Sequence, residues 1–214
     1  MDFQPLKYIY QPSTSAAANT LVLLHGTGGD ENDLIPLAKQ FGADFNILSL
    51  RGNVLEHGMP RFFKRLGMGI FDEKDLEFRA AELAHRLENL SVSLGFDFHR
   101  MIALGYSNGA NIAGALLVNH PQLLSGAILF RPMQPFKTLP TISGANSAIF
   151  MSNGKMDPTV DAHATHQYVN ALKAAGFKVS DHHLNTSHNL TQEDLDLAKE
   201  WYWEFKGERE KVKG

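Results

Sequence analysis

The chain has 214 residues, 43% hydrophobic and 20% charged, with a formal net charge of −3. Those values suit one ordinary globular domain, give no basic footprint for nucleic acid, and leave no apolar run long enough to span a bilayer. The absence of cysteine excludes disulfides, thiolate metal sites and a cysteine nucleophile together.

In chain order, Lys7–Tyr10 reads as an edge strand and Gln11–Asn19 as a polar, alanine-rich connection. Thr20–Leu24 is a buried strand, and Asn32–Phe41 a short helix with apolar Leu34, Ile35, Leu37, Ala38 and Phe41. After the strand Phe45–Leu50, the stretch from Arg51 to Asp72 is punctuated by glycine and has no clear period. Loops of that length in compact domains are usually functional or mobile. Lys74–Leu94 is the longest helix, its apolar face marked by Leu76, Leu83, Leu87 and Leu90. Met101–Leu104 is a strand, and Ala110–Leu117 is helical until His120-Pro121 stops it. Ser125–Phe130 and Ala148–Ser152 are strands, Asp161–Ala175 a helix, Lys178–Leu184 a strand and Thr191–Phe205 the closing helix. Lys206–Gly214 is a charged tail expected to fray. No repeat or linker divides residues 1–214, so a single α/β domain is expected, a mostly parallel sheet covered by helices on both faces with no large lid.

Within that order, Gly105-Tyr106-Ser107-Asn108-Gly109 stands between an apolar strand and a helix of small residues. Strand, sharp turn and helix are the context of a nucleophile elbow, where a strained turn thrusts the serine hydroxyl outward. The plainer alternative is a serine that caps the helix. A serine nucleophile needs a base, and the base an orienting group. In a parallel sheet such residues lie beyond the carboxyl ends of the strands. Asp157 follows Ala148–Ser152 across Asn153-Gly154, and His188 follows Lys178–Leu184, just before the capping pattern Thr191-Gln192-Glu193-Asp194. The order Ser, Asp, His is that of α/β-hydrolases. Among competitors, Asp161 reads as a helix cap, and Asp181, His182 and His183 lie inside a strand. His163 and His166 are three apart on a helix but lack an evident third ligand, so no metal is expected.

Negative charge on a tetrahedral intermediate requires fixed donors. The backbone N–H of Asn108, after the serine, is one candidate. The other is the N–H of Thr27 in His25-Gly26-Thr27-Gly28-Gly29-Asp30, which follows an early strand and lacks the spacing and lysine of a phosphate loop. Phe62, Phe63 and Met68, with Leu66, Ile70 and Phe71, are candidates to line an acyl or aryl pocket, although apolar side chains are mostly buried in any case. Arg51 and Arg131 each end a strand and so face the same rim; either receives an anionic substrate group or makes a structural ion pair.

The chain resembles the small α/β-hydrolases of the carboxylesterase, lysophospholipase and acyl-protein thioesterase superfamily, above all the bacterial subgroup linked to hydroquinone- and catechol-responsive operons. The resemblance runs from about Leu21 to Trp201. It rests on residues 24–34 (LHGTGGDENDL), Pro60-Arg61-Phe62-Phe63, Phe71-Asp72-Glu73-Lys74-Asp75-Leu76, residues 105–111 (GYSNGAN), Arg131-Pro132-Met133 and Asp157-Pro158. It implies Ser107, Asp157 and His188 as a triad, Thr27 and Asn108 as oxyanion donors, no cofactor, and a small-molecule ester as substrate. One departure is Ser187, where the family usually has glycine before the histidine. The same triad would serve a hydrolase of aromatic ring-cleavage products, and a ligand-binding protein can share the scaffold. A histidine base must be neutral to act, and an ordinary imidazole titrates near pH 6.5, so activity is expected to climb through roughly pH 6 to 8. The opening Met1-Asp2-Phe3-Gln4-Pro5 shows no signal-peptide pattern, so a cytoplasmic location is expected. A monomer and a small homo-oligomer fit equally well.

Overall fold

Seven strands, the central ones almost wholly apolar, pair side by side in the computed structural model as one sheet. The structure describes residues 3–15, 17–142 and 147–212, with side chains through Gly207 in the last helix. The sheet strands are β1 (Tyr8–Gln11), β2 (Asn19–Leu24), β3 (Phe45–Leu50), β8 (Met101–Tyr106), β9 (Gly126–Phe130), β10 (Ala148–Gly154) and β11 (Lys178–Leu184), in the order β1-β3-β2-β8-β9-β10-β11. Only β1 runs antiparallel, pairing Tyr8 with Leu50 and Gln11 with Ile47. Residues alternate between two cores, as the period of a strand requires. Val22, Leu24, Leu48 and Leu50 face α2 (Glu73–Leu94), α3 (Asn108–Asn119) and α4 (Ala162–Ala174). Leu21, Leu23 and Ile47 face α1 (Ile35–Ala38) and α5 (Gln192–Val212).

The strand order reverses between β2 and β8. From β2 the chain goes to β3 on one side and then returns to β8 on the other. Ligands of open α/β sheets bind in the crevice at such a switch point, beyond the carboxyl ends of the strands. The turn after β2 and the turn after β8 are therefore neighbours in space.

The helix caps follow local chemistry. Asp72 accepts the Asp75 N–H at the start of α2, and Gly95 ends that helix at φ 74°. Asp161 caps α4 by accepting the Ala164 N–H at 2.6 Å, the role its position suggests. Three expectations need correction. α1 is a single turn over Ile35–Ala38, extended by a 3₁₀ turn over Lys39–Phe41, because Asp30 holds the Asn32 N–H in a turn and delays the helix. α5 stays helical through Val212, so residues 206–212 continue the helix instead of fraying; 213–214 lie outside the described residues. The stretch from Arg51 to Asp72 holds two small hairpins, β4 (Val54–Glu56) with β5 (Met59–Arg61) and β6 (Arg65–Gly67) with β7 (Ile70–Phe71). His57 at φ 51° and Gly58 at φ 80° make the first of these turns, the two positive values a type I′ turn needs.

Candidate active site

Ser107 leaves β8 at φ 52° and ψ −112°, outside the regions open to most side chains. Its glycine neighbours are there for contact. A Cβ on Gly109 would stand 1.8 Å from the Leu24 carbonyl oxygen, and one on Gly105 would stand 2.6 Å from the Gly109 carbonyl oxygen. The turn can be this tight only without those atoms. Ser107 occupies the cap position of α3 yet makes no capping bond with its side chain. Its Oγ lies 2.9 Å from His188 Nε2, so the capping alternative does not hold.

His188 Nδ1 lies 2.7 Å from Asp157 Oδ2. A carboxylate can only accept, so Nδ1 carries the proton and bare Nε2 accepts the Ser107 hydroxyl. Burial alone would raise the Asp157 carboxyl. Bonds from the Thr159 hydroxyl (2.7 Å), the Thr159 N–H (2.9 Å) and His188 outweigh it and hold the group ionised below the ordinary carboxylate range. Tyr106 adds a lateral support, its hydroxyl donating to the His188 carbonyl at 3.1 Å and its ring 5.5 Å from the imidazole.

The His188 loop is fastened by Arg131. This residue follows β9 at φ 57° and is 1% exposed. Its Nη1 and Nη2 donate to the two Asp194 carboxylate oxygens at 2.7 and 2.8 Å. Its Nε donates to the Ser187 carbonyl at 3.1 Å, and Nη2 to the Asn189 carbonyl at 2.7 Å, gripping the chain on both sides of His188. Asp194 in turn accepts the Thr191 N–H at 2.8 Å at the start of α5. Burial would raise the Asp194 carboxyl, but Arg131, Ser152 and Thr191 together keep it low. Opposite, a Cβ on Gly154 would meet the Ser187 carbonyl oxygen at 2.1 Å, so the loops of Asp157 and His188 pack in direct backbone contact. Ser187 is not among the described non-glycine residues at positive φ, so a serine stands there without backbone strain.

The other wall comes from the turn after β2. Gly29 N–H donates to the Gly26 carbonyl at 3.1 Å across Thr27 and Gly28, with Gly28 at φ 83°, as the third residue of a type II turn requires. Two contacts fix this turn to β5: the Gly28 N–H donates to the Pro60 carbonyl at 2.9 Å, and Arg61 Nη1 donates to Thr27 Oγ1 at 2.5 Å. His25 ties the turn to β3: its Nδ1 donates to the Gly26 carbonyl at 2.6 Å, and its Nε2 accepts the Gly52 N–H at 3.0 Å. The Thr27 N–H has no acceptor among the described residues. The Asn108 N–H opens α3, where a helix has no partner of its own to offer.

Between the walls lies a cavity of about 340 Å³, lined by Ser107, His188, Thr27, Asn108, Met68 and Met133 among others. A second pocket of about 260 Å³, lined by Ile70, Pro135, Phe136 and Val160, shares Gly69, Phe71 and Met133 with the first. Together they set the Ser107 hydroxyl beside the His188 ring, two backbone N–H groups without an acceptor among the described residues, and an apolar annex, a set suited to acyl transfer.

Of the residues read as substrate contacts, Met68, 68% exposed, and Phe71 line the cavity, and Ile70 lines the second pocket. Phe62 and Phe63 are core. Phe62 packs on His25 with ring centroids 4.8 Å apart, Phe63 on Phe71 at 5.0 Å, and both are buried. Arg51 bonds Glu31 and Asp30 and ties β3 to the Thr27 turn, outside the cavity lining. Arg131 borders the cavity but commits its guanidinium to Asp194 and three carbonyls. Tyr106, Thr159, Arg61 and Arg65 were not singled out from sequence, yet all line the cavity. For Tyr106 and Thr159 the available signal was adjacency, one residue before Ser107 and two after Asp157.

A model of the phospholipase/carboxylesterase family matches residues 7–202. The chain is 43% identical over 199 residues to the Bacillus subtilis (strain 168) protein named "Putative hydrolase MhqD", covering 93% of this chain and 98% of that one. Among solved structures, the Bacillus cereus carboxylesterase superposes with a TM-score of 0.91 at 42% identity, covering 94% of each chain. The carboxylesterase from Mesorhizobium loti gives 0.85 at 26%, covering 92% of this chain and 94% of the other. Among the described residues no helix is long and apolar enough to cross a membrane. With its mostly parallel sheet and its match over nearly the whole chain, the protein belongs to the phospholipase/carboxylesterase family of α/β-hydrolases.

Proposed function

We propose that the protein is a serine hydrolase of small carboxylic esters acting as one domain, with Ser107 as nucleophile, His188 as general base and acid, and Asp157 as the group that orients and stabilises the imidazole. The observation that carries this is the continuous chain Ser107 Oγ–His188 Nε2–Asp157, at 2.9 and 2.7 Å, with the serine on a strained turn. In the first step His188 Nε2 takes the hydroxyl proton as Ser107 Oγ bonds to the ester carbonyl carbon. The charge that develops on the carbonyl oxygen is met by the N–H groups of Thr27 and Asn108. The carbon–oxygen bond to the alcohol then breaks, and His188 returns its proton to the leaving oxygen. Water attacks the acyl-enzyme with His188 again as base, releasing the acid and restoring Ser107. Asp157 stays ionised throughout, which the bonds from Thr159 favour.

The test is hydrolysis of p-nitrophenyl acetate and butyrate, with fluorophosphonate labelling, by the wild type and Ser107→Ala. Turnover and labelling are expected in the wild type, and loss of labelling with at least a thousandfold fall in turnover in the variant. A folded wild type that neither labels nor turns over rejects the assignment.

A further inference from the structure

The charges lining the catalytic cavity do not balance in the same way on its two sides. The lining contains Arg61, Arg65 and Arg131 and no aspartate or glutamate. Arg131 is matched by Asp194 in a two-bond pair. Arg61 and Arg65 have one carboxylate between them, Glu56. Arg65 Nε donates to Glu56 Oε1 at 2.8 Å, while Arg61 Nη1 stands 3.4 Å from Glu56 Oε2, an atom that makes no hydrogen bond among the described residues. Asp157, the other acid nearby, is spent on His188 and Thr159. The Nη2 of Arg61 and of Arg65 have no acceptor among the described residues. Burial, then the neighbouring Arg65, lower the pKa of Arg61, a strain on its charge that an added anion would relieve. A guanidinium left without a full partner in a cleft is suited to binding a carboxylate through two parallel N–H bonds.

From this juxtaposition we infer that Arg61 and Arg65 form an anion subsite, and that the preferred substrates are esters that carry a carboxylate besides the ester group. The inference rests on the proposed esterase reading and names its substrate class. Arg61 sits at the Thr27 turn and Arg65 in the second hairpin with Met68, so the charged end of the substrate lies against the hairpins on the Thr27 side of Ser107. The uncharged part is left the apolar annex beside Phe71 and Met133.

Two substrate pairs test this and tell which half of the ester bears the charge. Mono-p-nitrophenyl adipate against p-nitrophenyl hexanoate places a carboxylate on the acyl side. 3-Acetoxybenzoate against phenyl acetate places it on the alcohol side. The expected result is a kcat/KM at least tenfold higher for the charged member of one pair. That ratio falls with added salt and drops toward one in Arg65→Gln. Glu56→Gln, which removes the competing carboxylate, moves the ratio the opposite way, and Arg65→Lys restores only part of it. A ratio near one in both pairs, or a preference that Arg65→Gln and Glu56→Gln leave in place, overturns the inference. If no ester is turned over, the esterase reading fails by itself. Calorimetric titration with adipate and 3-hydroxybenzoate then decides the subsite. Binding of either that Arg65→Gln abolishes upholds it, and no binding by the wild type overturns it.

Discussion

On the His188 side of the cavity each buried charged group has its own committed partners: Arg131 pairs with Asp194, and Asp157 accepts from the His188 ring and from Thr159. On the Thr27 side two guanidinium groups share Glu56, and the turn is held by single bonds from Arg61 and His25, by one to the Pro60 carbonyl, and by Arg51 through Asp30 and Glu31. On the proposed function the contrast separates two tasks. A base must be held within tenths of an ångström of its serine, which calls for a network with no unused donors. A wall that receives part of a ligand keeps donors unspent.

The largest expected effect breaks that contrast at its centre. Arg131→Met leaves Asp194 buried without its cation, and removing one partner of a buried pair costs about 3–5 kcal/mol. At this chain length that lowers the melting temperature by about 10 °C. Arg65→Met on the opposite wall removes a part-exposed pair and is expected to shift it by no more than about 3 °C. Equal shifts in thermal unfolding would remove the distinction between the walls.

Glycine substitutions sharpen the comparison on activity. Gly154→Ala drives a methyl group into the Ser187 backbone, where nothing can swing aside, and displaces the chain that carries His188. A displacement of about 1 Å at such a site costs roughly 100-fold, so kcat is expected to fall by that factor. Gly28→Ala meets only the flexible Met59 side chain, at 3.6 Å, and pays mainly for its positive φ, about 1–2 kcal/mol in stability. Its kcat loss should stay within about tenfold. A Gly28→Ala defect larger than that of Gly154→Ala would mean that the Thr27 turn is the more exacting wall.

Much of this arrangement was legible in the chain, for a definite reason. In a parallel sheet the end of each strand fixes where the next residue goes, so the sequence order placed Ser107, Asp157 and His188 at one rim, and Asp161 and Thr191 could be read as caps from their own neighbourhoods. What strand ends do not fix is what a side chain meets there. Arg131 ends β9 as expected, but its partner Asp194 is 63 residues away, and Phe62 packs on His25, 37 residues back. The hairpins over Val54–Phe71 were hidden by strands of two or three residues, too short to show a period. The residues that distinguish the Thr27 wall, Glu56, Arg61 and Arg65, all lie in that stretch, which is why the Ser107–His188 side was readable and the Arg61–Arg65 side was not.

Thr27→Val tests the single bonds of the weaker wall. Valine keeps the shape and the backbone N–H but leaves Arg61 Nη1 without its hydroxyl acceptor. Loss of one such bond is expected to cost about tenfold in kcat, near 1.4 kcal/mol, with KM little changed. Steady-state kinetics on p-nitrophenyl butyrate reads it. A rise in KM at constant kcat would place the Thr27 hydroxyl in ground-state binding instead.

The smallest effect is also on this wall and appears in stability. Burial lowers the His25 pKa, with Arg51 acting the same way, against the Gly26 carbonyl, Asp33 and Asp30, which would raise it. The neutral ring is required in any case: Nε2 accepts the Gly52 N–H, and a proton there would set two donors against each other. Between its folded and unfolded pKa values such a histidine binds more protons when unfolded. Stability is therefore whole above the unfolded value, near 6.5, and declines as the pH falls below it. Urea midpoints at pH 7.5, 6.5 and 5.5 are expected to fall more steeply in the wild type than in His25→Gln, which lacks the titrating ring but is less stable at pH 7.5. Parallel declines would show that the turn accepts a charged His25. The Gly52 contact would then add nothing to the pH dependence, and the tie from β3 to the Thr27 wall would rest on Arg51.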